Sequence, residues 1–196
     1  VASVDCTGHG VPGALLSMMG YNILNRIVER EHIVSPSHIL SRLDAEVRRL
    51  LKQDNRESGV MDGMDLTVLS INHETKEIRF ASANRPVYIF QNGEIVEFPG
   101  DRLPVGYTPV ADDKVFNEHA VRLQSGDRVY LFTDGLTDQF GEGKKRYTAR
   151  RLKEFLQNIT NLPVRQQMEA VIAEFENWRQ SKDQTDDICF IAMQPF

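Results

Sequence analysis

The sequence predicts an α+β fold in which antiparallel sheets are flanked by pairs of helices. Three observations carry this reading. Between residues 65 and 133 the apolar residues recur with a period of two, broken by turn residues, the pattern of consecutive antiparallel strands. On either side the period becomes helical, with two helices before the strands and two after. Strand and helix do not alternate along the chain, as they would in a doubly wound parallel sheet.

Residues 1–4, Val-Ala-Ser-Val, read as a short buried strand ending at Asp5. Gly8-His9-Gly10-Val11-Pro12-Gly13 forms a turn, with Pro12 suited to a first helical turn. Leu15, Met18, Met19, Ile23 and Ile27 then follow helical spacing, and this helix should end near His32. Ser35-Pro36 supplies an N-cap followed by proline at the first helical position. The helix it opens carries an apolar stripe of Ile39, Leu40, Leu43, Val47, Leu50 and Leu51. Its opposite face, with Arg42, Glu46, Arg48, Arg49 and Lys52, reads as solvated. Residues 53–63 are polar and read as a mobile loop. Strands are expected over 65–72, 77–83, 87–91 and 94–98, the last two joined by the tight-turn pair Asn92-Gly93. Residues 100–113, rich in Gly, Pro and Asp, read as a long loop. Strands over 116–123 and 127–133 meet at Ser125-Gly126, helices follow at 148–158 and 164–180, and a strand over 187–194 closes the chain.

At 196 residues the chain favours a single domain, spanning 1–196, large enough to bury a core without a disulfide or metal staple. An apolar share of 41% and a charged share of 26% argue against disorder. With 23 basic and 28 acidic residues the net charge is -5, which disfavours a nucleic-acid binder. No apolar run approaches the ~18 residues of a membrane span, and no signal peptide opens the chain. Cys6 and Cys189 have neither metal spacing nor a disulfide framework, so a reducing, cytoplasmic setting fits. The strand-like start at Val1, without an initiator Met, reads as a piece of a longer protein.

Three segments could carry chemistry. Asp5-Cys6-Thr7-Gly8-His9-Gly10 places a carboxylate at a strand end beside a glycine turn and a helix N-terminus, where phosphate is favoured. Gly8-x-Gly10-x-x-Gly13 formally matches a dinucleotide fingerprint, but the chain runs from helix to helix with no second parallel strand, and Pro12 lies inside the turn. Thr133-Asp134-Gly135 follows the apolar strand 129–132, and Thr185-Asp186-Asp187 precedes the last strand. Each puts an Asp at a strand end. Clustered carboxylates repel one another, and a hard divalent cation offsets that cost. Oxygen donors without a Cys or His set favour Mg²⁺ or Mn²⁺ over zinc, and the five histidines lack zinc spacing. Two such ions can activate water for in-line attack on phosphorus.

With these motifs in hand the chain resembles the SpoIIE-type branch of the PPM metal-dependent protein serine/threonine phosphatases over nearly its whole length. Residues 5–14, Asp-Cys-Thr-Gly-His-Gly-Val-Pro-Gly-Ala, resemble the family's Asp-x-x-Gly-His-Gly segment. Ala81-Ser82-Ala83-Asn84-Arg85-Pro86 is similar to its Ala-Gly-Ala-Asn/His-x-Pro strand, and Leu103-Pro104-Val105-Gly106 to its Pro-x-Gly loop. Residues 127–135, Asp-Arg-Val-Tyr-Leu-Phe-Thr-Asp-Gly, resemble the Gly-Asp…Tyr-Thr-Asp-Gly motif, and Thr185-Asp186-Asp187 the closing Asp-Asp motif.

The resemblance implies a four-layer α-β-β-α sandwich lacking its first strands. It implies two Mn²⁺ or Mg²⁺ ions held by Asp5, the carbonyl of Cys6, Asp134 and Asp186, with His9 and Asn84 near the substrate. Asp65 reads as structural, and Cys189, where Thr is usual, as a core substitution. The family's earlier Gly-Asp motif has no counterpart before Asp5, so weakened metal binding and poor activity are expected of residues 1–196. The implied substrate is phosphoserine or phosphothreonine on a bacterial STAS-domain anti-anti-sigma regulator. An upstream sensor or receiver domain and a homodimer are also implied. The competing reading is a catalytically degenerate phosphatase fold that serves as an interaction module.

Overall fold

The longest strand, β2 (Gly63–Asn72), organises the first part of the molecule. In the computed structural model, which describes residues 1–53, 61–107 and 114–196, β2 pairs antiparallel with β1 (Ala2–Cys6) on one side and with β3 (Glu77–Ala83) on the other. The two-residue strand β6 (Val105–Gly106) also pairs with β2, and β7 (His119–Arg122) pairs with β3. The second sheet runs β5-β4-β8-β9, built from β4 (Val87–Gln91), β5 (Glu94–Phe98), β8 (Arg128–Phe132) and β9 (Phe190–Met193), again all antiparallel. The chain divides into two compact units, Val1–Arg85 with Pro99–Arg122, and Pro86–Phe98 with Leu123–Phe196. The α+β class predicted from periodicity is what forms.

In the first unit α1 (Gly10–Asn25), a π-helical turn (Arg26–Arg30) and α2 (Pro36–Leu50) accompany the sheet. The core joins Leu16, Ile23 and Ile27 with Ile39, Leu40, Leu43 and Val47 of α2 and with Met64, Leu66 and Val68 of β2. The expected face of α1 is partly corrected: Leu15 and Met18 are each 63% exposed, while Leu16 is buried. The helix is apolar over most of its circumference, so spacing alone does not select the buried face. The π-helical turn was not foreseen either; it seats Ile27, which is fully buried.

α2 starts at Pro36 after Ser35, as expected, but Ser35 does not cap it. Its hydroxyl donates to Glu118 Oε2 at 2.6 Å, and that carboxylate accepts the Ser37 amide at 3.2 Å, so a distant side chain serves the helix terminus. The solvated face is also corrected at Glu46. Glu46 is buried and meets Arg49 at 2.8 Å, Arg26 at 2.9 Å and Arg42 at 3.0 Å. Hydrogen bonds from Arg49 and Arg26 hold its carboxyl well below the usual range, at about 2.

The Lys114 side chain is almost fully buried, only 1% exposed. Its Nζ donates to Asp44 Oδ1 at 2.8 Å and to the carbonyls of Pro104 and Gly106, and Gly106 donates its amide to the same Asp44 oxygen at 2.8 Å. This cluster fixes the Leu103-Pro104-Val105-Gly106 loop and lets β6 pair with β2, where the sequence suggested loop throughout. Residues 54–60 and 108–113, which belong to the expected loops 53–63 and 100–113, lie outside the described residues.

The second unit adds α3 (Asp134–Asp138), a 3₁₀ turn (Glu142–Lys144), α4 (Ala149–Ile159) and α5 (Val164–Arg179). The β4–β5 hairpin turns at Asn92 (φ 55) and Gly93 (φ 87), both left-handed, as its two-residue loop demands. Its core packs Tyr88, Tyr130 and Phe132 of the sheet against Leu152, Leu156, Val171 and Phe175 of the helices. Tyr130 donates its hydroxyl to the fully buried Gln167 at 2.8 Å, and burial pushes that phenol up to about 12. The adjoining strands β7 and β8 do not pair with each other; each joins a different sheet.

Two stability predictions follow from these charges. Lys114→Met leaves two carbonyls without their donor and Asp44 with only Arg48 at 4.0 Å as cation, and should destabilise the chain by about 3 kcal/mol, read as a lower urea midpoint. For Glu46 the folded pKa lies below the ordinary value of 4.5, so its contribution is complete above about pH 4.5 and disappears as pH falls towards 2. Urea unfolding of Glu46→Gln should show a loss on the order of 1 kcal/mol at pH 7, the partners being partly solvent-screened, and a smaller difference from the parent as pH falls from 4.5 towards 2.

Candidate functional site

In the first unit the site is built on β1 and its turn. Asp5 lies inside β1, one residue short of its end at Cys6, and stands directly opposite Asp65 on β2. Pairing extends to Cys6↔Met64, which is why the strand outlasts the expected boundary at Asp5. Thr7 then pins the turn: its amide donates to the Gly63 carbonyl and its hydroxyl accepts the Gly63 amide, both at 2.9 Å. His9, exposed, is the N-cap residue of α1 with extended backbone (φ -132, ψ 171) and makes no side-chain cap.

Two carboxylates facing each other across neighbouring strands repel. Arg85 answers that charge. Its Nη2 lies 2.9 Å from Asp5 Oδ2 and 3.1 Å from Asp65 Oδ2. Asn84, in left-handed backbone (φ 60), donates Nδ2 to Asp65 Oδ1 at 2.8 Å. Asp5, expected as a metal ligand, and Asn84, expected near the substrate, thus both adjoin Asp65, with Arg85 added. Arg85 sits within a quoted motif, and the following Pro86 biases it to extended backbone, a signal that could have singled it out.

Cys6 is half-buried, and burial is the main cause that pushes its thiol up, with Asp5 adding to it and a hydrogen bond with Ser17 opposing. A raised thiol is a poor nucleophile.

In the second unit Asp134 opens α3 at the end of β8, and Asp186 and Asp187 lie exposed ahead of β9. Gly135 brings them together. A Cβ there would collide with the Asp187 carbonyl and stand 3.3 Å from that of Asp186, so only glycine lets the two segments approach this closely. Thr133 completes the junction, donating its amide to the Cys189 carbonyl at 3.0 Å and accepting the Cys189 amide at 2.9 Å. Both contacts use the Cys189 backbone. The last strand starts at Phe190, later than the expected 187, because residues 186–187 pack against Gly135 instead of a strand.

Gln139 was not foreseen and has no local signal in the sequence. It is fully buried. Its amide nitrogen donates to the carbonyls of Phe140 (3.0 Å) and Asp183 (2.9 Å), and its amide oxygen accepts the Thr185 amide at 3.1 Å. It thereby clamps the segment leading into Asp186 to the end of α3.

The first unit thus offers the facing carboxylates of Asp5 and Asp65, and the second brings the backbone of Asp186 and Asp187 against Gly135, the residue after Asp134. The donors are hard oxygens, chemistry that suits Mg²⁺ or Mn²⁺. Among the described residues no three His, Cys, Asp or Glu side chains already converge as a ready metal cluster.

Known proteins share this arrangement of elements. Phosphoserine phosphatase RsbU of Bacillus subtilis (strain 168) is 26% identical over 143 residues, 70% of this chain and 38% of RsbU, so the chain spans well under half of that curated relative. The structure of the SiaA PP2C domain of Pseudomonas aeruginosa superposes with a TM-score of 0.86 at 29% identity, covering 98% of this chain and 74% of that one. The catalytic domain of the serine/threonine phosphatase PstP, solved with two manganese ions, superposes at 0.65 and 15% identity over 97% of this chain and 84% of its own, a likeness of fold. Residues 1–196 match the stage II sporulation protein E family throughout. The chain therefore belongs to the SpoIIE family, a branch of the PP2C-type (PPM) phosphatases.

Proposed function

We propose that the protein is a metal-dependent protein serine/threonine phosphatase acting in bacterial signal transduction. The observation that carries this reading is the junction at Gly135, where the backbone of Asp186 and Asp187 packs against the residue after Asp134. Asp5, in β1 before the turn into α1, supplies a carboxylate in the other unit. Family membership and the phosphatase relatives support the same activity.

In this reading Asp5 and the Cys6 carbonyl in the first unit, and Asp134 and Asp186 in the second, are the residues that would hold Mn²⁺ or Mg²⁺. When bound, the ions lower the pKa of water and neutralise charge on the phosphoryl oxygens. The chain's own residues orient and insulate. Asn84 and Arg85 steady Asp65 and Asp5, Gln139 holds the approach to Asp186, and Gly135 permits the close backbone contact. His9 and Asn84 line the approach of the phosphorylated side chain. Cys6 takes no nucleophilic part, and no phosphoenzyme is needed.

The substrate is phosphoserine or phosphothreonine on a STAS-domain regulatory protein of the sigma-factor-control type. The setting is cytoplasmic, and among the described residues no helix is long and apolar enough to cross a membrane. A specific observation favours a second reading: Asp5 already has a cation in Arg85, as a metal-free interaction module would require.

One assay separates the two. Hydrolysis of p-nitrophenyl phosphate and of a phosphorylated STAS protein should require Mn²⁺ or Mg²⁺ and stop in EDTA. Asp134→Asn should lower kcat by about 100-fold or more, the scale of losing a principal electrostatic contributor. Hydrolysis unchanged in Asp134→Asn would remove the metal assignment, and binding of the STAS protein without hydrolysis would select the interaction module. Gln139→Leu should reduce kcat without unfolding the chain, because it releases the segment before Asp186; far-UV circular dichroism beside the same assay checks this.

A further inference from the structure

Arg85 is more than one of many surface ion pairs. Asp5 and Asp65 occupy facing positions of an antiparallel ladder, so their charges cannot separate without breaking β1 from β2. A single guanidinium nitrogen bridges both carboxylates, and the three side chains are only 14%, 19% and 25% exposed for Arg85, Asp5 and Asp65. At that degree of shelter solvent screens the pair much less than it would an exposed one.

The backbone under Arg85 is tightly held. Its amide donates to the Ala83 carbonyl at 2.8 Å, and its carbonyl accepts the Ser82 hydroxyl. Asn84 donates its amide to the Asp101 carbonyl at 2.7 Å, and Asp101 donates its own to Ser82 at 2.9 Å. Pro86 restricts the residue from the other side. The guanidinium is thus presented to the carboxylates by a fixed turn, which lowers the entropy cost of holding it there.

We propose that Arg85 is the internal counter-ion of the Asp5–Asp65 pair, holding the two strands together in the metal-free protein and standing where a divalent cation bound to Asp5 must displace it. The inference rests on Asp5 being a metal ligand. Arg85 is a positioning residue in this scheme. It makes the fold independent of metal and sets a lower affinity for it, since each ion that binds Asp5 breaks a charge-assisted hydrogen bond.

The test compares the 196-residue chain with Arg85→Met, measuring Mn²⁺ affinity by calorimetry and melting temperature in EDTA. Arg85→Met should melt several degrees lower in EDTA, and adding Asp65→Asn to it should recover most of that loss by removing the repulsion. It should bind Mn²⁺ roughly tenfold more tightly, the scale of one charge-assisted hydrogen bond no longer broken on binding. If Arg85→Met does not fold in EDTA, Arg85→Lys, which keeps one cation without the planar fork, should melt below the parent and bind Mn²⁺ more tightly than it. Mn²⁺ affinity equal to or weaker than that of the parent in these variants would overturn the inference. Hydrolysis is not read, so the two proposals fail separately: Mn²⁺ binding as described with no phosphatase activity would remove the phosphatase reading alone, and activity with an affinity indifferent to Arg85 would remove this one alone.

Discussion

Negative charge has to be gathered before this site can exist, and like charges resist being gathered. In the first unit the cost falls on the facing carboxylates of Asp5 and Asp65, and the local structure is arranged around it. The left-handed turn at Asn84 aims one amide at Asp65, and the next residue lays a guanidinium across both acids. The bridge from Ala83 to Asp101 fixes that turn in place. Without a cation at this point the β1–β2 pairing would oppose its own electrostatics.

The second unit is organised instead by backbone proximity. Gly135 has no side chain to keep the Asp186–Asp187 segment away, and Thr133 locks the segment by hydrogen bonds to Cys189. Gln139 then bonds the backbone of Phe140, Asp183 and Thr185 and accepts the Thr185 hydroxyl, which places the approach to Asp186 on the buried end of α3. Buried polar side chains recur as organisers in both units. Lys114 and Asp44 seat the β6 loop, and Gln167 with Tyr130 ties α5 to its sheet.

Much of the fold was legible in residue pattern. Strands 77–83, 87–91 and 94–98 form at the expected residues, because alternation and the Asn92-Gly93 turn are local signals. α2, α4 and α5 likewise fall within a residue or two of expectation. Asp5, Asn84, Asp134 and Asp186 were legible as candidates because they stand in motifs. What was not legible depends on partners far along the chain. The buried face of α1 is chosen by packing on an almost wholly apolar helix. Burial of Glu46 is made by arginines from two elements, and β6 exists through a lysine that meets Asp44 across 70 positions. Arg85 faces Asp5 across 80 positions and Gln139 reaches Thr185 across 46, so neither role has a local periodicity to announce it.

The central claim is that these carboxylates are metal ligands and that Arg85 holds the place of one ion. Crystals of the chain grown without metal and then soaked in Mn²⁺ test it most directly, through anomalous scattering at the manganese edge. The account predicts anomalous density on the Asp5 carboxylate and on those of Asp134 and Asp186, with the Arg85 guanidinium withdrawn from Asp5. Manganese absent from all three aspartates, or bound to Asp5 with Arg85 still bridging it to Asp65, would contradict it.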